Sequence, residues 1–406
     1  MVLGLCLFAF AYALIVGPRL RGLPLDRPAG ALVGAIVFVL AGVLTPAQAF
    51  AAVNLDTIVL LFGLMGVGAI LSQQGVLPAF SEWALQRFAR PQALLGALVW
   101  GAGGLAALIT NDAVCVLGTP LVVAWIKRRN LPPLPFLLGL ATAANTGSVA
   151  TLVGNPQNML CATLGGLSYR QYLWRMLPLT VVCLAINHAL VAWLYRVPLQ
   201  QTPKPPEAAV PAEGRSHVLS LAVLGASVVA YTAGAHLAFT AVAAFTALLL
   251  LHRRSPTAVW PGIDWSVLVF FCGLFVIVQG LVQSGGAAAL LRWMPLAAND
   301  DGLPATLKNA FVFLVGSNVV SNVPFILVIE PQMHTQANGS FAWTLLAMAS
   351  TFAGNMTLLG SVANIIVAEG GKEVGGMGFW KYLKVGLPLA VTSTLVGAVW
   401  LWLWRA

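Results

Sequence analysis

Residues 108–115 read Leu-Ile-Thr-Asn-Asp-Ala-Val-Cys, a polar triplet of Thr110, Asn111 and Asp112 at the centre of an apolar stretch running from 92 to 126. That stretch is far longer than the roughly 20 residues of one membrane crossing. Charge decides how it is threaded. Arg87 and Arg90 precede it, and Lys127, Arg128 and Arg129 follow it. Lys and Arg gather in loops on one side of a membrane. A single crossing would split these two clusters, whereas a turn at the triplet keeps them together. We therefore read 92–126 as a re-entrant hairpin with Thr110-Asn111-Asp112 at its tip. The stretch 305–330 has the same design. Its centre is Gly316-Ser-Asn-Val-Val-Ser-Asn-Val-Pro324, with Asn318, Ser321 and Asn322 as polar groups. Pro324 opens the second arm, where a missing N–H leaves no bond unmade.

Working outward, the chain has 406 residues, 59% of them hydrophobic and 8% charged. Soluble domains carry about 25% charged residues, so most of this chain must face lipid. The apolar runs are long and helix-like, which excludes a barrel of short alternating strands. Ten spans are expected: 2–17, 29–44, 57–74, 134–165, 175–195, 217–232, 236–251, 265–284, 342–368 and 384–404. The fold class is thus an all-α polytopic membrane protein of about ten transmembrane helices plus two re-entrant hairpins.

The net charge of +9 sits in short loops and not in a basic-aromatic patch, so nucleic acid is not an expected partner. The acidic loop with Asp300 and Asp301 falls on the opposite face in this threading. Cys6, Cys115, Cys161, Cys183 and Cys272 all lie in apolar runs without a CxxC pair, so neither disulfides nor a metal site is expected. The five histidines form no HxxxH or HExxH motif, and no P-loop is present. A membrane metalloenzyme and an ATPase are thereby disfavoured, and no enzyme activity or cofactor is expected.

The segment 197–216, rich in Pro and polar residues, reads as a cytoplasmic linker. It separates an N-terminal repeat, 1–196, from a C-terminal repeat, 217–406. Self-similarity supports the division. Phe62-Gly63-Leu64 meets Cys272-Gly273-Leu274 after 210 residues, and Thr110-Asn111 meets Ser321-Asn322 after 211. Ala150-Thr-Leu-Val-Gly-Asn155 meets Met356-Thr-Leu-Leu-Gly-Ser361 after 206, which brings Asn158 onto Asn364. Five spans per half is an odd number, so the second repeat is inverted relative to the first. Inverted repeats with broken helices mark secondary transporters, whose sites lie where the broken elements meet.

Of twelve acidic residues, Asp112 alone falls at mid-membrane in this map. A buried carboxylate there costs at least a few kcal/mol, which marks it as functional and suits a group that takes up and releases a proton. In the second repeat Val323 stands in its place. The third element, Asn145 to Asn158, carries Gly154 and Pro156 inside an apolar run and cannot form an unbroken helix. Its counterpart is Gly354 to Asn364. Freed backbone groups at such breaks can contact a substrate. The candidate substrate-binding residues are Thr110, Asn111, Asn145, Thr151, Asn155, Asn158, Asn318, Ser321, Asn322, Thr357, Ser361 and Asn364, with Asp112 as the ion-coupling group.

Thr110-Asn-Asp-Ala-Val with Thr119-Pro120, Val320-Ser-Asn-Val-Pro324 and Gly154-Asn-Pro-Gln-Asn158 together resemble the ion transporter superfamily. It includes arsenite permeases, D-type sodium/proton antiporters, citrate permeases and divalent-anion/sodium symporters. The resemblance covers essentially the whole chain. It implies outer scaffold helices around a transport core that moves by alternating access. Dicarboxylate symporters carry Ser-Asn-Thr at both tips, whereas this chain has Thr-Asn-Asp and Ser-Asn-Val. The Asn-Asp tip leans toward the arsenite-permease branch, and the mapped core holds no Arg or Lys to bind a dianion. The expected function is proton-coupled efflux of arsenite or antimonite across the bacterial inner membrane. The alternative is a sodium- or proton-coupled permease for dicarboxylate, citrate or a sulfate-like anion. Expected partners are a small-molecule or oxyanion substrate and the lipid bilayer; a soluble pump ATPase and a second copy of the chain are compatible with this branch.

Overall fold

Helix starts follow the chemistry of the sequence. Asp26, Thr45, Asn54, Thr110, Asn155, Asp264 and Asn338 each accept a backbone N–H in the first turn of the helix they precede, and such caps replace bonds the helix itself cannot supply. Proline at the first turn adds to this in the helices that begin at Arg27, Pro91, Pro133, Pro156 and Leu303. The computed structural model describes residues 1–16, 26–204, 217–292, 295–297 and 302–405.

The first half contributes α1 (Val2–Val16), α2 (Arg27–Leu40), α3 (Pro46–Ala51), α4 (Leu55–Gln73), α5 (Val76–Arg87), α6 (Pro91–Ala106), α7 (Asn111–Arg129), α8 (Pro133–Ser148), α9 (Pro156–Gly165) and α10 (Tyr169–Leu194). The second contributes α11 (Val218–Thr232), α12 (Leu237–Leu251), α13 (Pro256–Val259), α14 (Trp265–Gln283), α15 (Gly286–Leu291), α16 (Leu303–Val320), α17 (Asn322–Met333), α18 (Gly339–Ala353), α19 (Val362–Gly370) and α20 (Phe379–Leu403). No strand occurs among the described residues. The chain is an all-α polytopic membrane protein. Among the described residues, five helices, α4, α10, α14, α16 and α20, are each long and apolar enough to cross a membrane.

Packing is reciprocal between the halves. α4 packs on α12 and α14 packs on α2; α7 packs on α19 and α17 on α9. The closest approaches correspond. A Cβ on Gly63 would lie 2.7 Å from the Ala241 backbone, and one on Gly273 would lie 2.8 Å from the Ala31 backbone. Both glycines are required there because any side chain would push the helix pairs apart.

The expected hairpins are two antiparallel arms that return to their starting side. At the base of the first, Arg129 at the end of α7 donates to Leu85 O and Ala89 O, both at 2.9 Å, just before α6 begins. Arg128 pairs with Glu82 there. At the base of the second, Gln332 near the end of α17 donates to Leu291 O at 3.3 Å, ahead of α16. α16 is long enough to cross alone, yet its chain turns back at Ser321. The bases lie on opposite faces. Gln73 at the end of α4, on the first hairpin's side, donates to Ala258 O at 2.9 Å. From there the crossing helix α14 runs to α15 beside the second base.

Two expected spans are each broken. The stretch 134–165 is α8 and α9 with 149–155 between them. The stretch 342–368 is α18, a 3₁₀ turn at Leu358–Gly360, and α19. The first part of the expected linker is docked. Leu199 is buried; the Lys204 N–H donates to Arg129 O at 3.0 Å, and Arg129 Nε returns a bond to Lys204 O at 2.7 Å. Residues 205–216 of the linker, and Asp300 and Asp301, lie outside the described residues.

Candidate functional site

The two hairpin tips are built differently. Thr110 caps α7 in relaxed extended geometry, accepting the Ala113 N–H at 3.3 Å. The Asn111 N–H donates to Gly154 O at 2.9 Å, which ties this tip to the break between α8 and α9. At the other tip a single residue, Ser321, joins α16 to α17 with φ 72° and ψ 149°. This is a region that residues with a Cβ rarely occupy, at a cost of order 1–3 kcal/mol.

The tips meet at a cavity of about 70 Å³. Asn111, Asp112, Ser321, Asn322 and Ser361 line it, with Arg27 from α2 and aromatic side chains of α14 closing the wall. The Asp112 carboxylate lies near the backbone N–H of Ala363, in the first turn of α19. Asn111 Oδ1 and Asn322 Oδ1 are buried and accept no hydrogen bond. An unpaired buried amide oxygen costs about 1–3 kcal/mol unless a donor reaches it.

Behind the cavity lies a buried amide network centred on Asn145. Its Oδ1 accepts from Asn111 Nδ2 at 2.8 Å and from Ser361 Oγ at 3.1 Å. Its Nδ2 donates to Asn355 Oδ1 at 3.1 Å and to Asn364 Oδ1 at 2.9 Å. One side chain therefore joins the first tip, the α8 break and both ends of the second break. The remaining candidates are occupied in holding the breaks together. Asn155 caps α9 through the Asn158 N–H at 2.8 Å, and its Nδ2 donates to Ser148 Oγ at 2.8 Å. Asn158 donates to Thr151 O at 2.9 Å and accepts from Thr351 Oγ1 at 2.9 Å. Thr151 donates to Ala107 O at 2.7 Å. Asn364 donates to Gly354 O at 2.7 Å. Asn318 donates to Ala353 O at 3.0 Å and accepts from Thr357 Oγ1 at 3.3 Å. These amides stand in for helical bonds that the breaks forfeit.

Sequence reasoning passed over Asn355, Thr351 and Arg27. Asn355 lies 210 residues after Asn145, the offset already visible at Gly63 and Gly273, so a signal existed. Arg27 had none: it falls between the expected spans 2–17 and 29–44. The structure corrects the expectation of a core without Arg or Lys, because α2 begins at Arg27 and places that residue in the cavity wall.

A second, larger cavity of about 740 Å³ opens on the face of the second hairpin's base, beside Asp56, Glu330 and His334. α14 and α17 line both spaces. Phe271, Leu274 and Ser321 to Pro324 face the tip cavity; Phe275, Val278 and Leu327 face the vestibule. The two linings share no residue.

The rice (Oryza sativa subsp. japonica) silicon efflux transporter LSI3 is 29% identical over an alignment of 467 positions that covers 98% of this chain and 96% of that protein. The putative transporter arsB of Dictyostelium discoideum is 26% identical over 93% of this chain and 87% of its own length. Among solved structures, the YdaH transporter of Alcanivorax borkumensis superposes with a TM-score of 0.56 at 16% identity, over 100% of this chain and 96% of that one. The shared architecture is therefore that of a membrane transporter. The family described as "CitMHS: Citrate transporter" matches residues 11–353. With most of its length covered by that match, the chain belongs to the CitMHS family of membrane transporters.

Proposed function

We propose that the cargo is a small, hydroxylated oxyacid of the arsenous or antimonous acid class, expelled across the bacterial inner membrane in exchange for protons carried by Asp112. The observation that carries this reading is that Asn111 and Asn322, whose buried amide oxygens accept no hydrogen bond within the protein, line one cavity. Each calls for a donor, and a neutral oxyacid presents its hydroxyl hydrogens to both. Size agrees. A water needs about 10–15 Å³ of such space, so about 70 Å³ admits roughly five heavy atoms. A trihydroxyl oxyacid has four heavy atoms, and citrate has thirteen. The names of the rice and Dictyostelium relatives point to the same class of solute. The contribution of α14 and α17 to both the tip cavity and the vestibule supports alternating access, and the reciprocal helix packing supports two inverted repeats.

A sodium- or proton-coupled anion permease is the second reading, favoured by Arg27 in the cavity wall. The experiment is flux into proteoliposomes under imposed pH and sodium gradients, with arsenite, antimonite, silicate, citrate and succinate as substrates. We expect pH-driven oxyacid flux in the wild type. Asp112→Asn should abolish accumulation against a gradient while leaving downhill exchange. An Asp112→Asn protein with full pH-driven accumulation would remove Asp112 from the coupling role.

A further inference from the structure

At two positions a charged residue of the first half meets an aliphatic residue of the second. Asp112 corresponds to Val323 in the hairpins. The second pair follows from the helix contacts. Gly63 against Ala241 and Gly273 against Ala31 are the same contact made twice, each residue displaced by 210 from its counterpart. One helical turn before Ala31 and Ala241 stand Arg27 and Leu237. Both unmatched charges, Asp112 and Arg27, face the one cavity between the tips.

The placement of Arg27 is fixed by packing. Ala31 meets α14 at Gly273 so closely that no Cβ fits between them. Arg27 lies four residues earlier on the same helical face, which sets it over the preceding turns of α14, beside Val267, Phe270 and Phe271. No described residue accepts a hydrogen bond from its guanidinium. Five N–H donors and a fixed positive charge therefore remain available to whatever enters.

The cavity also offers acceptors, the Asp112 carboxylate and the amide oxygens of Asn111 and Asn322, beside the hydroxyls of Ser321 and Ser361 and the Gln157 amide, which can donate as well. Alone, such an oxygen set suits a hard cation as well as a hydroxyl. An arginine in the lining of that cavity repels a cation and supplies donors to the oxygens of an acid. We propose that Arg27 is the specificity-determining residue of this site, donating to the oxygens of an oxyacid whose hydroxyls bond Asn111 and Asn322, and excluding alkali cations by its charge. The inference rests on the oxyacid reading for its ligand and on the charge asymmetry for its residue.

The test uses the full chain in proteoliposomes, comparing wild type, Arg27→Lys and Arg27→Gln. Arsenite, antimonite and silicate serve as substrates, with sodium titrated as an inhibitor. Arg27→Gln should raise KM for the preferred oxyacid at least tenfold with a smaller change in maximal rate, and flux should become sodium-inhibited. Arg27→Lys, which keeps the charge and loses the planar fork, should raise KM and stay insensitive to sodium. Wild-type KM and no sodium effect in Arg27→Gln would overturn the assignment. Should Arg27→Gln fail to fold, Arg27→Lys decides by the same KM shift, and an unchanged KM there overturns it. If the wild type moves no oxyacid, the cargo reading fails. Sodium binding by purified Arg27→Gln protein then judges Arg27 alone: a gain supports cation exclusion, and no gain overturns it.

Discussion

Replacing Asn145 by alanine removes one amide and leaves four buried polar atoms without their only partner: Asn111 Nδ2, Ser361 Oγ, Asn355 Oδ1 and Asn364 Oδ1. Interhelical hydrogen bonds inside membrane proteins average about 0.6 kcal/mol, so four of them give roughly 2.4 kcal/mol as a lower figure. Counting the desolvation of each orphan at about 1 kcal/mol gives roughly 4 kcal/mol. With unfolding entropy of about 2.1 cal/mol/K per residue over the whole chain, each kcal/mol moves Tm by about 1 °C. Asn145→Ala should therefore lower Tm by at least about 2–4 °C. The buried thiols Cys115, Cys161 and Cys183 offer the readout, since a thiol-reactive fluorophore labels them only as the fold opens. A double-mutant cycle with Asn355→Ala sharpens the result. The two side chains share a direct bond, so the double variant should lose less than the sum of the single losses. A Tm within 1 °C of wild type for Asn145→Ala, or strict additivity in the cycle, would refute the network as the joint between the halves.

Two further outcomes follow from backbone geometry. Gly273→Leu should destabilise by about 1–3 kcal/mol or more and cut the yield of folded protein, because its Cβ would meet the Ala31 backbone. Gly104→Leu, where a Cβ meets nothing within 4 Å, is the matched control, and equal losses in the two would defeat the packing argument. Ser321→Gly should raise Tm, since glycine adopts φ 72° without the steric cost that serine bears there. A fall in Tm would mean that the serine hydroxyl contributes more to the tip than its backbone strain removes.

Much of the architecture is legible in the chain. The Thr110-Asn111-Asp112 tip and the Arg87–Arg90 and Lys127–Arg129 clusters define a hairpin without coordinates, because two basic clusters cannot lie on one face if the segment between them crosses once. Gly154 and Pro156 announce the break between α8 and α9, since neither the missing N–H nor the flexible backbone suits a helix interior. The 210-residue spacing of Gly63 and Gly273 is visible in the letters, and its meaning is steric: both mark the closest approach of two helices.

The division of labour among the polar residues is not legible. Asn145, Asn155, Asn158 and Asn364 look alike in sequence, each an amide in an apolar run. Only the tertiary structure shows that most are consumed by the broken helices, while the amide oxygens of Asn111 and Asn322 accept no hydrogen bond. Arg27 makes the same point from the other direction. Its sequence neighbours, Asp26 and Pro28, mark a helix start in a basic loop, and nothing local reports where that start is carried. The sequence by itself determined which segments enter the membrane, where they break and which carboxylate lies deep, because those follow from hydropathy, proline and the cost of a lone charge. Which charges share a cavity was decided by the packing of α2 on α14 at Gly273, a contact between residues more than 200 positions apart that only the folded chain creates.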